Sequence, residues 1–205
     1  MNYERDRAWA EVSLDRLADN YHKLSEFVGP SCKVLCVIKG NAYGHGAVEV
    51  SKELERAGCE ILGAATIEEA MELREHGIKL PVLLLGPINP AYAALAAEQG
   101  FIVPLIDAAH AEELSAAAAA AGKTITAHLK IDTGMSRYGL SVGKDMDGCV
   151  AEALHMTKLP NLRVTGVFTH FAVANIPEED AFTRRQMTLF RTFSDRMEQN
   201  GVKLL

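Results

Sequence analysis

Short apolar runs alternate along this chain with longer stretches in which apolar residues recur at helical spacing. Val34-Leu35-Cys36-Val37-Ile38 is the first such run, and it delivers Lys39 into the glycine-rich stretch Gly40-Asn41-Ala42-Tyr43-Gly44-His45-Gly46. An uninterrupted apolar run with β-branched members predicts a strand buried on both faces, as in a parallel sheet whose two sides are covered. Upstream, residues 8–14 are expected to form a short extended piece. Leu17, Tyr21 and Leu24 then share one side of a helix that Ser13 or Asp15 caps and Gly29-Pro30 ends. Downstream, the pattern predicts a helix over 48–57 stopped by Gly58, a strand over 60–65, and a helix over 67–75 stopped by Gly77.

The same unit then repeats. Strands are expected at 81–86, 101–106, 124–132 and 162–171, with helices over 91–98, 108–122, 145–157 and 178–200. Pro104 is an unfavourable residue inside a strand, and the alanine tract Ala116–Ala121 reads as helix propensity rather than as a recognition feature. Gly201–Leu205 looks like the approach to a further strand. Strands alternating with helices at short intervals predict successive βα units and a parallel sheet. No Ser/Pro/Gly-rich linker divides them, so residues 1–205 are expected to form a single domain. A doubly wound sheet and a (β/α)8 barrel share this pattern. The barrel is favoured because barrel active sites gather at the carboxyl ends of strands, and three predicted strand ends here are polar.

Composition narrows the function classes. The 205 residues are 48% hydrophobic and 23% charged, which is enough apolar surface for a sizeable core and excludes a disordered chain. A formal charge of −6, with no dense run of Lys or Arg, argues against a nucleic-acid or anionic-membrane partner. No apolar run is long enough for a transmembrane helix, and the charged start Met1–Arg5 is not followed by a signal-peptide core, so a cytoplasmic location is expected. Cys32, Cys36, Cys59 and Cys149 lack ligand spacing and are expected to be buried free thiols, with no metal site.

The candidate chemistry sits at the strand ends. Leu35, Val37 and Lys39 fall on one face, so the lysine emerges where an apolar interior would desolvate its amine and favour attack on a carbonyl. Gly40, Gly44 and Gly46 permit positive φ and would let backbone N–H groups approach an anion, to which the Tyr43 phenol adds a donor. The 124–132 strand ends in Lys130-Ile131-Asp132, with Arg137 in the loop beyond it, and His170 lies at the end of the 162–171 strand. An arginine there offers a planar donor fork, and an imidazole packs on an aromatic ring. Each residue also has a plain reading: a solvated strand-end lysine at Lys39, a surface residue at Arg137, an ion pair of Lys130 with Asp132, and a satisfied core histidine at His170.

Val37-Ile38-Lys39-Gly40-Asn41-Ala42-Tyr43-Gly44-His45-Gly46 resembles the cofactor-binding motif of alanine racemases, the pyridoxal-phosphate isomerases with a barrel fold. Lys130–Leu140 is similar to that family's second motif, Thr169-His170-Phe171-Ala172 to its third, and Arg7–Val12 to its opening. The resemblance implies an α/β fold of the (β/α)8 TIM-barrel type, incomplete here, with about six of the eight βα units present. It also implies that Lys39 carries pyridoxal 5'-phosphate as a Schiff base and acts as the base on the D-alanine side. Tyr43 would then bind the cofactor phosphate. Arg137 would bind the phenolic oxygen and the substrate carboxylate, His170 would lie against the ring, and Lys130 would be carbamylated.

The family is roughly twice as long as this chain and homodimeric, and it supplies D-alanine for peptidoglycan in the cytoplasm. Its later strands, the arginine facing the pyridine nitrogen, and the carboxyl-terminal β domain with the second catalytic base are therefore expected beyond Leu205. An amino-terminal portion is expected to racemise alanine weakly or not at all. Two alternatives are a non-catalytic pyridoxal-phosphate-binding module and an inert fragment that associates with itself.

Overall fold

In a computed structural model, residues 9–204 are described; Met1–Ala8 and Leu205, and with them part of the expected opening segment and strand approach, lie outside the described residues. The chain divides into two compact units, residues 1–83 and 84–205.

In the first unit, helix α1 (Leu14–Val28) starts where the Ser13 hydroxyl accepts the Arg16 N–H and stops at Gly29, whose φ of 78° ends the helical path. Strand β1 (Cys36–Val37) is followed by a helical turn, α2 (Lys39–Tyr43), and by helix α3 (Ala47–Arg56). Strand β2 (Leu62–Ala64) lies parallel to β1, with Cys36 opposite Leu62 and Val37 opposite Gly63. Helix α4 (Ile67–Glu75) then leads to β3 (Val82–Leu84), whose start accepts the Leu62 N–H at the Pro81 carbonyl. The core is aliphatic: Ile38, Val50, Leu54, Leu62, Ile67, Leu73 and Ile78 are buried.

The expected burial of the first apolar run on both faces is not found. Val34 to Val37 are only half-buried, and the regular strand is two residues long. Within the unit, β1 pairs with β2, and its residues stay only half-buried, so apolar composition exceeds what this unit covers. Residues 9–13 form no regular strand, and Ser13 at their end is extended, with φ/ψ of −86°/107°.

In the second unit, a 3₁₀ turn (Pro90–Tyr92) and helix α5 (Ala93–Glu98) precede β4 (Phe101–Leu105) and helix α6 (Ala108–Ala120). Strand β5 (Ile125–Asp132) is the centre, parallel to β4 on one side and to β7 (Leu162–Phe168) on the other, while its last residues pair with the two-residue β6 (Leu140–Ser141). Helix α7 (Met146–Met156) lies between β6 and β7, and α8 (Asp180–Gln199) follows a 3₁₀ turn over Pro177–Glu179. Pro104 stays within its strand, opposite His128, so the missing N–H does not interrupt pairing with β5. β6 has no counterpart in the sequence pattern, because two residues carry no measurable period. Phe101, Leu114, Ile125, Leu129, Ile131, Phe193 and Met197 are fully buried.

The four cysteines are free. Cys59 and Cys149 are buried, but Cys36 is half-buried and Cys32 exposed, contrary to expectation for these two. Among the described residues no cluster of His, Cys, Asp or Glu has the arrangement of a metal site, and no helix is long and apolar enough to cross a membrane.

Candidate active site

Lys39 leaves β1 half-buried and enters a turn of the opposite hand to an ordinary helix. Gly40, Asn41 and Ala42 have φ/ψ near 60/43°, 54/48° and 51/48°, and Tyr43 has φ 54°. Consecutive left-handed residues cost L-amino acids about 1–2 kcal/mol each, so this conformation needs support from outside the turn. Asn41 gives part of it: its side-chain oxygen accepts the Ala47 N–H at 2.7 Å and anchors the start of α3. Glu69 on α4 gives another part, with Oε1 accepting the Gly40 N–H and Oε2 the Ala65 N–H, both at 2.7 Å. The same carboxylate closes a capping box with Thr66.

The glycines behave differently from the anion cradle the sequence suggested. Gly40, Gly44 and Gly46 do take φ of 60°, 86° and 91°. Their N–H groups are already engaged, however: Gly40 with Glu69, Gly44 with the Gly40 and Asn41 carbonyls, and Gly46 with the Asn41 carbonyl. His45 N–H also bonds inward, to Ala42. The glycines thus serve the handedness of the turn, and the outward-facing donor is Tyr43, which is 63% exposed with its ring centroid 6.0 Å from Lys39 Nζ.

The second unit gathers the other candidates at the carboxyl ends of β5 and β7. Lys130 is 2% exposed, donates from Nζ to the Ile131 carbonyl at 2.7 Å and lies 5.5 Å from the Phe168 ring centroid. Burial pushes its amine down to about 8; the Asp132 carboxylate opposes this and the Arg137 guanidinium adds to it. The plain Lys130–Asp132 ion pair is not what the residues form. Asp132 instead accepts the Gly134 and Ser136 N–H groups and shapes the loop that carries exposed Arg137. Tyr138 anchors that loop by donating to the Leu85 carbonyl at 2.8 Å, and its ring lies under the Arg137 guanidinium, 5.3 Å from the centroid.

β7 ends at Phe168, two residues earlier than needed to hold His170 as a strand residue, so the imidazole stands in the loop beyond. It is exposed and not a core histidine. The backbone around it is held by Gln186, a fully buried residue of α8. Gln186 Nε2 donates to Thr133 Oγ1 at 3.0 Å and to the His170 carbonyl at 3.1 Å, and its Oε1 accepts the Ala172 N–H at 3.0 Å. Thr133 and Thr169 share a hydroxyl contact of 2.9 Å, and Thr169 also donates to the Ile131 carbonyl. His128, two residues before Lys130 on the same face of β5, has a pKa lowered by burial and packs over Gly166, where a Cβ would come within 2.7 Å of its ring.

The structure therefore pairs Lys39 with Tyr43 in one unit and Lys130, Arg137 and His170 in the other. Glu69, Asn41, His128 and Gln186 are not among the candidate site residues that the sequence suggests. Only Glu69 had a legible signal, the Thr66-x-x-Glu69 capping pattern, and that pattern announces a helix start rather than a site.

Residues 12–205 match the family model for the alanine racemase N-terminal domain. The chain belongs to the alanine racemase family. It is 39% identical over 194 residues to alanine racemase 2 of Caldanaerobacter subterraneus subsp. tengcongensis, a match covering 95% of this chain and 49% of that protein. Among solved structures, an alanine racemase of Clostridium difficile 630 superposes with a TM-score of 0.91 at 32% identity, covering 98% of this chain and 54% of the other. A histidine racemase from Leuconostoc mesenteroides subsp. sake superposes with a TM-score of 0.79 at 28% identity, over 88% and 47% of the two chains. The fold is thus the α/β, parallel-sheet fold of the family's amino-terminal barrel domain. The chain spans about half the length of the alanine racemases it matches.

Proposed function

We propose that this chain is the catalytic-lysine half of an alanine racemase, an isomerase interconverting L- and D-alanine with pyridoxal 5'-phosphate attached to Lys39. The observation that carries this reading is the Lys39 turn: an amine at the end of β1, placed by a left-handed backbone held from α4 and α3. The donor set suits the cofactor. An amine matches its aldehyde, the Tyr43 phenol its phosphate, the Arg137 guanidinium its phenolic oxygen and a substrate carboxylate, and the His170 imidazole its ring. When bound, the cofactor supplies a conjugated electron sink that takes up the charge left by a departing α-proton.

The chain's own residues then have definite tasks. Lys39 would hold the cofactor aldehyde through its Nζ amine and, when that amine is free, would move the α-proton on the D-alanine face. Lys130, which burial and Arg137 keep from holding its proton tightly, adds carbon dioxide as a neutral amine and loses a proton, giving an anionic carbamate that orients Arg137. Racemisation also requires a proton-moving group on the opposite face. We assign that group to the remaining half of the full-length protein and its homodimer, which supplies D-alanine to peptidoglycan in the cytoplasm.

The test is the absorption spectrum of the purified chain with added pyridoxal phosphate, beside Lys39→Ala. A visible band that disappears in the variant, with borohydride fixing the cofactor mass on Lys39, supports the reading. Identical spectra overturn it for this chain. The likeness to a histidine racemase favours a second reading, racemisation of another amino acid. Turnover of alanine and histidine by the full-length protein separates the two.

A further inference from the structure

We propose that Glu69 is the positioning residue of the Lys39 turn, a carboxylate clamp that keeps the lysine amine aimed; the proposal rests on the role of Lys39 put forward above. Glu69 spans two strand ends with one side chain. Oε1 takes the N–H of Gly40, the peptide directly after Lys39, and Oε2 takes the N–H of Ala65 directly after β2. Both contacts are 2.7 Å, the length of charge-assisted bonds, which are about twice as strong as neutral ones.

Physical necessity supports the assignment. Gly40 begins the run of left-handed residues, and its φ of 60° fixes the direction in which the chain leaves Lys39. A Cβ at Gly40 would meet no atom within 4 Å, so no steric wall enforces that conformation. The bond to Glu69 holds the first peptide of the turn, beside the Ala42 N–H to Ile38 carbonyl bond of 2.7 Å, and Asn41 holds its end. Without it the turn can relieve the cost of its left-handed residues by unwinding, and the amine then samples many directions. A bound cofactor would have to reverse this at the expense of affinity.

The plainer role of Glu69 is the capping box of α4, and Thr66 separates the two. The Glu69 N–H donates to Thr66 Oγ1 at 3.4 Å, so Thr66→Ala removes the cap while leaving both carboxylate bonds in place. Three chains are compared: wild type, Glu69→Ala and Thr66→Ala. The readouts are pyridoxal-phosphate affinity from the Lys39-dependent band and, without cofactor, hydrogen exchange of the Gly40 amide. Glu69→Ala is expected to weaken cofactor binding about tenfold or more, the loss of one charge-assisted bond, and to release the Gly40 amide. Thr66→Ala is expected to lower the melting temperature while leaving affinity within about twofold.

Equal affinities in wild type and Glu69→Ala, or equal losses in both variants, overturn the clamp. If wild type shows no Lys39-dependent band, the proposed function fails for this chain, and Gly40 exchange still decides the clamp. If Glu69→Ala does not fold, exchange in wild type against Thr66→Ala decides: slow exchange in both supports the clamp, and fast exchange at Gly40 in wild type overturns it.

Discussion

Gln186 donates its side-chain amide to the hydroxyl of Thr133, 53 residues away in sequence and 3.0 Å away in space. Through that contact a buried residue of α8 joins the loop after β5, which carries Arg137, to the loop after β7, which carries His170. With its second N–H on the His170 carbonyl and its oxygen on the Ala172 N–H, the amide is well satisfied in a site with no access to water.

Replacing Gln186 by Leu should therefore cost far more than a change of volume. The Ala172 N–H, the His170 carbonyl and the Thr133 hydroxyl each lose a hydrogen bond to the amide, worth about 0.5–1.5 kcal/mol apiece. The expected destabilisation is about 2–4 kcal/mol in urea unfolding, and a loss below about 0.5 kcal/mol would show that the network is dispensable.

Lys130 makes stability depend on alkaline pH. Its amine titrates near 8 in the folded chain against an ordinary value of 10.5, so between these values the unfolded chain binds more protons. Stability should rise as pH passes from 8 to about 10.5 and should be penalised below 8, by about 3 kcal/mol at most. Lys130→Met should be more stable than wild type near pH 7, with the difference shrinking toward pH 10.5. Parallel pH profiles for the two proteins would contradict this.

The same depressed amine should react with carbon dioxide. Native mass spectrometry in bicarbonate is expected to show one added carbon dioxide that is lost on acidification and missing in Lys130→Met. An unmodified wild-type mass across the range from pH 7 to 9 would remove carbamylation from the proposed function.

Gly139 and Gly44 both have positive φ, but they should respond differently to alanine. At Gly139, with φ 115°, a Cβ would stand 2.7 Å from the Lys130 carbonyl oxygen, whereas at Gly44, with φ 86°, it would meet nothing within 4 Å. Gly139→Ala is expected to lose about 2–4 kcal/mol and to disturb Lys130, and Gly44→Ala to lose only the left-handed penalty of about 1–2 kcal/mol. Equal losses in thermal or urea unfolding would mean that the β5–β6 region gives way without cost.

Period and punctuation made much of the fold legible. Helix α4 falls on its expected residues, Ser13 caps α1, and β4 and β5 begin and end within a residue or two of their apolar runs. Errors gather where a run meets its neighbours. The Val34–Ile38 run reads as buried on both faces, but a strand's cover depends on what flanks it, and within its unit β1 is short and half-buried. The 162–171 strand ends early, and Lys130 and Asp132 decline the ion pair their spacing suggests because each finds backbone partners closer at hand.

The order of residues alone makes this a βα-repeating chain with Lys39, Lys130, Arg137 and His170 near strand ends, because hydrophobic period and strand length are local properties. It also carried motifs long enough to identify the family. Tertiary structure alone decided the hand of the Lys39 turn, the use of its N–H groups and the residues that hold it. Glu69 lies 29 residues from Gly40, and Gln186 lies 53 from Thr133. Such bonds form only after α4 and α8 pack against their strands, and the pattern that buries a helix face does not say which loop its polar side chain will meet.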